Sequence, residues 1–228
     1  MNELLSRDPN HSVYKKPFEF YCMAYIISTM GKVHPRALQS SSTCNFTSKQ
    51  EIFTLWMKSL LLNGKGCTLF DSNGQIVYRV DNYNCKSFEE VHLMDQQGNT
   101  LFTILRKQYN IFRFWEGYRS PATRNDPKGP CFRVYKSYRI FRGVSAYGVK
   151  LGLDKNQPNT LKIECSTSKS PCKIYDQFGV LIAELSRKKS SCGVDLGDDV
   201  LTMVVEPNID LSLIMGLVVA YSLINCQI

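Results

Sequence analysis

The chain has 228 residues, 43% of them hydrophobic and 21% charged, which is the balance of an ordinary globular protein long enough to bury a substantial core. Nine cysteines form no CxxC pair, so a zinc knuckle or thioredoxin-type motif is excluded. Net charge is +8 and is concentrated: residues 101–150 hold eleven basic side chains against Glu116 and Asp126, a local net of +9.

Residues 1–17 are polar and lack the apolar stretch of a signal peptide, and residues 21–30 are only mildly apolar, broken by Ser28 and Thr29. The expectation is an intracellular protein whose nine cysteines are reduced thiols and whose Asn45-Phe46-Thr47 sequon is incidental. Residues 37–48, rich in Ser and Thr, read as loop, and Asn63-Gly-Lys-Gly66 reads as a turn.

A recurrent pattern follows: an apolar residue, Asp, two variable residues, Gly, then an alternating strand. It occurs at Asp71–Gly74, Asp95–Gly98 and Asp176–Gly179. Asp bonds its own backbone two residues on, and Gly takes the positive φ of a tight turn. The flanks alternate with period two: Ile76, Tyr78 and Val80 oppose Gln75 and Arg79, while Leu181, Ala183 and Leu185 oppose Glu184, Ser186 and Lys188. One face is expected to be buried and the other wet. Two groups of hairpins are separated by a Pro- and Gly-bearing loop over 119–130.

Within the basic segment, Trp115-Glu-Gly-Tyr118 follows Phe112 and Phe114, aromatics expected to fill core or cap a barrel end. In the strand spanning 131–141, Phe132, Val134, Tyr138 and Ile140 share one face, and Arg133, Tyr135 and Arg139 the other. Lys136 falls on the apolar side, which requires a bulge, a partner for the charge or a different register. Asp195, Asp198 and Asp199, flanked by Gly193 and Gly197, read as a solvated strand connection rather than a cation cage.

Residues 211–224 are apolar on every face of a helical wheel and are preceded by an N-cap oxygen from Asp210. The run gives about 21 Å of helix, short of the ~30 Å core of a bilayer, and no Lys or Arg flanks it. The expected enclosure is protein: a sheet closed around a core helix, with Leu213, Ile214, Leu217 and Val218 in its interior.

Three histidines (His11, His34, His92) stand apart from one another, and HExxH, GxSxG, GxxxxGK[ST] and GxGxxG motifs are missing. No catalytic residue, metal ligand or cofactor is therefore assigned, and a non-enzymatic protein is expected.

Several stretches taken together resemble the LURP-one-related proteins of plants. They are Thr54-Leu-Trp-Met-Lys-Ser-Leu-Leu, Gly64-Lys-Gly-Cys-Thr-Leu-Phe-Asp-Ser-Asn-Gly with its continuation to Tyr83, Glu90-Val-His-Leu-Met-Asp, and Leu101-Phe-Thr-Ile-Leu-Arg. Trp115-Glu-Gly-Tyr, Gly197-Asp-Asp-Val-Leu-Thr-Met-Val-Val-Glu-Pro, Asp210 and Leu213-Ile-Met-Gly complete the set. The resemblance opens near Lys32-Val-His-Pro35. It divides the chain into an N-terminal extension, 1–29, expected to be poorly ordered, and a barrel domain, 30–228. It implies an all-β, tubby-C-terminal-like fold: a closed antiparallel barrel of about twelve strands around one hydrophobic C-terminal helix. Relatives of that fold include phosphoinositide-binding tubby proteins and phospholipid scramblases, and the family's founding member is linked to plant defence. No family ligand residues carry over, and fold alone does not give function.

The resulting expectation is a monomeric binding or membrane-tethering module in defence or stress signalling. Its partners would be anionic phospholipids or phosphoinositides, together with an unidentified protein. Arg113, Arg133, Tyr135 and Arg139 are the candidate ligand contacts. It would be cytoplasmic, peripheral at the plasma membrane, with the nucleus as a further location. A scramblase-type membrane protein and a nucleic-acid-binding regulator are the alternatives, the basic–aromatic pattern being too short for a nucleic-acid signature.

Overall fold

Each Asp-x-x-Gly stretch closes a hairpin with backbone amides donating to the Asp carboxylate. Asp71 Oδ1 accepts from the amides of Asn73 and Gln75, both at 2.8 Å, and Asp176 Oδ1 accepts from Phe178 and Val180 at 2.9 and 2.8 Å. At the third, Asn99 N donates to Asp95 Oδ1 at 2.8 Å. Gly74, Gly98 and Gly179 have φ of 76°, 86° and 83°, and each amide donates back to its Asp carbonyl at 3.1 Å. The carboxylate supplies the acceptor and glycine the left-handed backbone, so the local sequence fixes these corners.

The structure is a computed structural model that describes residues 36–37, 47–58, 60, 65–82, 89–109, 112–120, 129–141, 144–152, 159–166 and 172–225, all within one compact unit, residues 32–228. The strands are β1 (Arg36–Ala37), β2 (Glu51–Trp56), β3 (Lys65–Phe70), β4 (Ile76–Asn82), β5 (Glu90–Asp95), β6 (Asn99–Tyr109) and β7 (Phe112–Arg119). After the central loop come β8 (Phe132–Phe141), β9 (Val144–Leu151), β10 (Asn159–Ser166), β11 (Cys172–Tyr175), β12 (Leu181–Arg187) and β13 (Val200–Val205), then one helix, α1 (Leu211–Ile224). Sequential strands from β2 to β13 pair antiparallel, and β13 pairs back onto β2 through Trp56↔Val200 to Glu51↔Val205. The result is a closed twelve-stranded barrel, with β1 added in parallel to the start of β6. Closure gives every strand of the barrel a neighbour on both sides.

Alternation places Leu55, Leu69, Tyr78, Leu93, Ile104, Val134, Val149 and Ile174 in the interior, where they surround α1. The helix is the one read from the sequence. Asp210 caps it, its Oδ1 accepting from Ser212 N at 2.9 Å and Leu213 N at 3.3 Å. Ile214, Leu217 and Val218 are buried and Leu213 is partly buried against the same cluster, so protein encloses this segment. Among the described residues no helix is long and apolar enough to cross a membrane.

Two glycines make room for one ring. A Cβ on Gly117 of β7 would stand 2.1–2.7 Å from the Phe132 ring, and one on Gly216 of α1 would stand 3.0 Å from it. Phe132, fully buried, is held between wall and helix and meets Phe102 with centroids 5.5 Å apart.

Three expectations are corrected. The thiols are not all reduced: Cys165 and Cys172 form a disulfide, because they face each other on β10 and β11 with Cα atoms 4.2 Å apart. The outer face of β4 is not wet: Arg79 and Asp81 side chains are 1% exposed, with Arg79 Nε 3.4 Å from Asp81 Oδ2, so the charges that marked a solvated face are a buried pair. Ala37, read as loop, lies in β1. Residues 1–29, the Asn45 sequon position and most of the central loop lie outside the described residues.

Candidate anion-binding site

The basic segment folds into the consecutive wall strands β6 to β9, so its charges do not all face the same way. Arg119, at the end of β7, reaches the N-terminus of α1. Its Nη2 donates to Asp210 Oδ2 at 2.6 Å, and the guanidinium lies 4.6 Å over the Phe102 ring. This cation positions the helix cap and is spent on structure.

Residues on the outer faces of β7, β8 and β9 converge. Phe114 pairs with Tyr135, Glu116 with Arg133, and Arg133 with Lys150. Phe112, Arg113, Phe114, Arg133, Tyr135, Lys136 and Lys150 line an open depression of about 270 Å³. Its floor is rigid. Arg133 Nε and Nη2 donate to Glu116 Oε1 at 2.9 and 2.6 Å, and the guanidinium stacks 4.5 Å from the Phe114 ring. Tyr118 donates to Glu116 Oε2 at 2.8 Å. Burial pushes the Tyr118 hydroxyl up to about 12, and the hydrogen bond to Glu116 adds to the shift, so it stays a neutral donor. Tyr135 lies over Gly148 of β9, where a Cβ would stand 2.4 Å from the ring. Four cations and three rings thus line one depression, with buried Glu116 held to Arg133 beside it. Arg and Lys supply charged donors, and the rings supply flat apolar walls.

Three of the four residues read from the sequence, Arg113, Arg133 and Tyr135, meet here. The side chain of Arg139 lies outside the described residues. Phe112, Phe114, Lys136 and Lys150 were not among them: Phe112, Phe114 and Lys150 come from the strands on either side of β8, and Lys136 was read onto the apolar face of β8. The alternation of Phe112 and Phe114 was the available signal. Lys136 stays in unbroken register with β9, opposite Tyr147, and is exposed; the register shift falls after it, between Ser137 and Phe141.

The carboxylates of the β12–β13 connection are engaged. Asp199 takes Lys58 Nζ at 2.6 Å and Trp56 Nε1 at 3.3 Å, and Arg187 reaches Asp198 at 3.1 Å. Burial acts to raise Asp199, yet the hydrogen bonds from Lys58 and Trp56 and the Lys58 charge hold it below the usual range. Among the described residues no group of three His, Cys, Asp or Glu side chains is placed to hold a metal.

The model of the LURP-one-related family matches residues 51–222. The chain belongs to that family. It is 44% identical to protein LURP-one-related 11 of Arabidopsis thaliana over 94% of this chain and 98% of that one. It is 43% identical to LURP-one-related 3 of the same plant over 89% and 96%. An X-ray structure of an Arabidopsis thaliana protein is similar in fold, with TM-score 0.57 at 18% identity, covering 79% of this chain and 94% of that one. The family match spans β2 to nearly the end of α1, which is the closed barrel and its plug.

Proposed function

We propose that this LURP-one-related chain is a non-enzymatic, monomeric binding module that takes the phosphate-bearing headgroup of an anionic phospholipid or phosphoinositide on the wall formed by β7, β8 and β9. The observation that carries the reading is the convergence of Arg113, Arg133, Lys136 and Lys150 with Phe112, Phe114 and Tyr135 around one depression. Each Lys or Arg near an anionic membrane surface adds about 1 kcal/mol of attraction. Such a module works as an intracellular tether at the plasma membrane. Its place in defence or stress signalling rests on the family resemblance alone. The packing of α1 inside the barrel gives no support to a scramblase-type reading in which that segment reaches lipid.

Vesicle co-sedimentation at low ionic strength tests the proposal. The Arg113→Glu/Lys150→Glu protein is expected to lose binding to phosphoinositide-containing vesicles, while Lys49→Glu/Lys189→Glu, with the same change in net charge on other exposed positions, keeps most of it. Arg133 is left untouched because its reversal would set a second carboxylate against Glu116. Equal losses in both proteins, or stronger binding of the parent to duplex DNA, would refute the lipid site.

A further inference from the structure

β6 is longer than the neighbour that supports it. Among the described residues its last partner in β5 is Glu90, opposite Leu105, and Arg106 N donates to Glu89 O at 2.7 Å, beyond which Lys107 to Tyr109 pair with Phe112 to Phe114 of β7. The two strands therefore continue past β5 as a ribbon. Arg106, Lys107, Gln108, Tyr109, Phe112 and Arg113 on it are all exposed. Tyr109 and Phe112 are direct cross-strand partners and share one face, 71% and 51% exposed. Large rings at a ribbon end contribute nothing to the barrel core, and ribbon cations flank them in sequence. Phe112 also lines the basic depression, so the aromatic pair and the anion site are continuous.

The strand directions put the ribbon at the rim where α1 ends, and put the turns at Asp71, Asp95 and Asp176 together at the opposite rim. The β12–β13 connection also lies at the ribbon's rim, but its Asp195, Asp198 and Asp199 are matched by Arg187 and Lys58, so the pull toward an anionic surface comes from the basic ribbon and depression.

We infer that the β6–β7 ribbon is a membrane wedge: Tyr109 and Phe112 enter the headgroup–acyl boundary of an anionic bilayer while Arg113, Lys136 and Lys150 contact the headgroup phosphates. The inference rests on the headgroup reading above and deepens it, since a site for a free inositol phosphate needs no exposed rings beside it. Tyrosine favours the membrane interface because its ring is apolar and its hydroxyl tolerates water, and the wholly apolar phenylalanine ring adds area to bury in the acyl boundary.

Tyr109→Trp provides the probe, with Phe178→Trp as control, a position 81% exposed in the turn at the opposite rim. The vesicles are phosphatidylcholine carrying phosphatidylinositol bisphosphate and acyl-brominated lipid. On them the added indole fluorescence of the Tyr109→Trp protein is expected to shift to the blue and be quenched. That of the Phe178→Trp protein is expected to do neither. Tyr109→Ser is expected to weaken vesicle binding about fivefold to tenfold, the loss of one partly inserted ring, with calorimetric binding of soluble inositol phosphate unchanged. An unquenched indole at position 109 on vesicles that the protein does bind, or undiminished binding by Tyr109→Ser, overturns the wedge and leaves the headgroup site standing. It would turn the ribbon toward a protein partner. A parent protein that binds neither vesicles nor soluble inositol phosphate overturns both readings.

Discussion

At the scale of single residues, alternation told which side of the wall Arg133 and Tyr135 occupy, but not what meets them there. Glu116 lies 17 positions from Arg133 and becomes its partner through strand register, which a single sequence does not encode locally. Glu116 is 5% exposed, so removing its cation leaves a carboxylate poorly solvated. Arg133→Gln should cost about 2 kcal/mol in urea-unfolding stability, and Arg133→Gln/Glu116→Gln less, because the second change removes the stranded charge. His92 gives a pH signature. Burial lowers its pKa, with Glu90 opposing, so the folded protein binds the proton less readily than the unfolded chain. Its contribution is intact above about 6.5 and is lost as pH falls from there through the lowered folded value. Melting temperatures of parent and His92→Gln proteins should accordingly converge as pH falls through that window, the parent losing its advantage. Among the thiols, Cys67 is buried and pushed up to about 12 by burial and then by Asp81, whereas Cys192 is exposed. Alkylation of the native protein should label Cys192 and spare Cys67 until unfolding, and digestion without reductant should yield a peptide joining Cys165 to Cys172.

At the scale of elements, hairpins and helix were legible because their signals are local: Asp and Gly at fixed offsets, period two beside them, and an apolar run with its own cap. The buried outer face of β4 was not legible, since Arg79 and Asp81 look like any solvated alternation until each other's burial is known. The Cys165–Cys172 bridge was missed for a related reason: it required knowing that β10 and β11 pair with those two residues in register. Gly216 sits inside α1, where glycine is ordinarily unfavourable. Its use emerges only with Phe132 lying against it. Gly117→Ala should destabilise by about 2–3 kcal/mol in thermal or urea unfolding, because the Phe132 ring, enclosed on its other side by α1, cannot retreat. Leu217→Ala, at a fully buried position, should cost about 3 kcal/mol by leaving a cavity, and Leu217→Asp should prevent folding.

For the whole molecule, the uniform apolarity of α1 carried the strongest message, because a helix without a polar face demands an enclosure. The closed barrel was readable from that demand. What could not be read was the order of closure, with β6 meeting β7 and β13 returning to β2. Nor was it readable that Arg119 would be diverted from the basic surface to the helix cap. Deleting 211–228 should abolish cooperative melting by calorimetry, since the wall residues would face an empty interior. A truncated protein that stays monomeric and melts cooperatively would show that the helix is dispensable to the core.

The pairing of Trp56 with Val200 also sets a clock on biosynthesis. At about 5–20 residues per second, β2 leaves the ribosome on the order of ten seconds before the strand that seals it. Throughout that interval the nascent chain is an open sheet with bare edges and an unfilled apolar face, the state most prone to pair with a neighbour. The plug arrives after every strand of the wall. Premature stops or stalling near the C-terminus therefore do not yield a slightly shortened barrel; they yield a chain fit for chaperones and proteases.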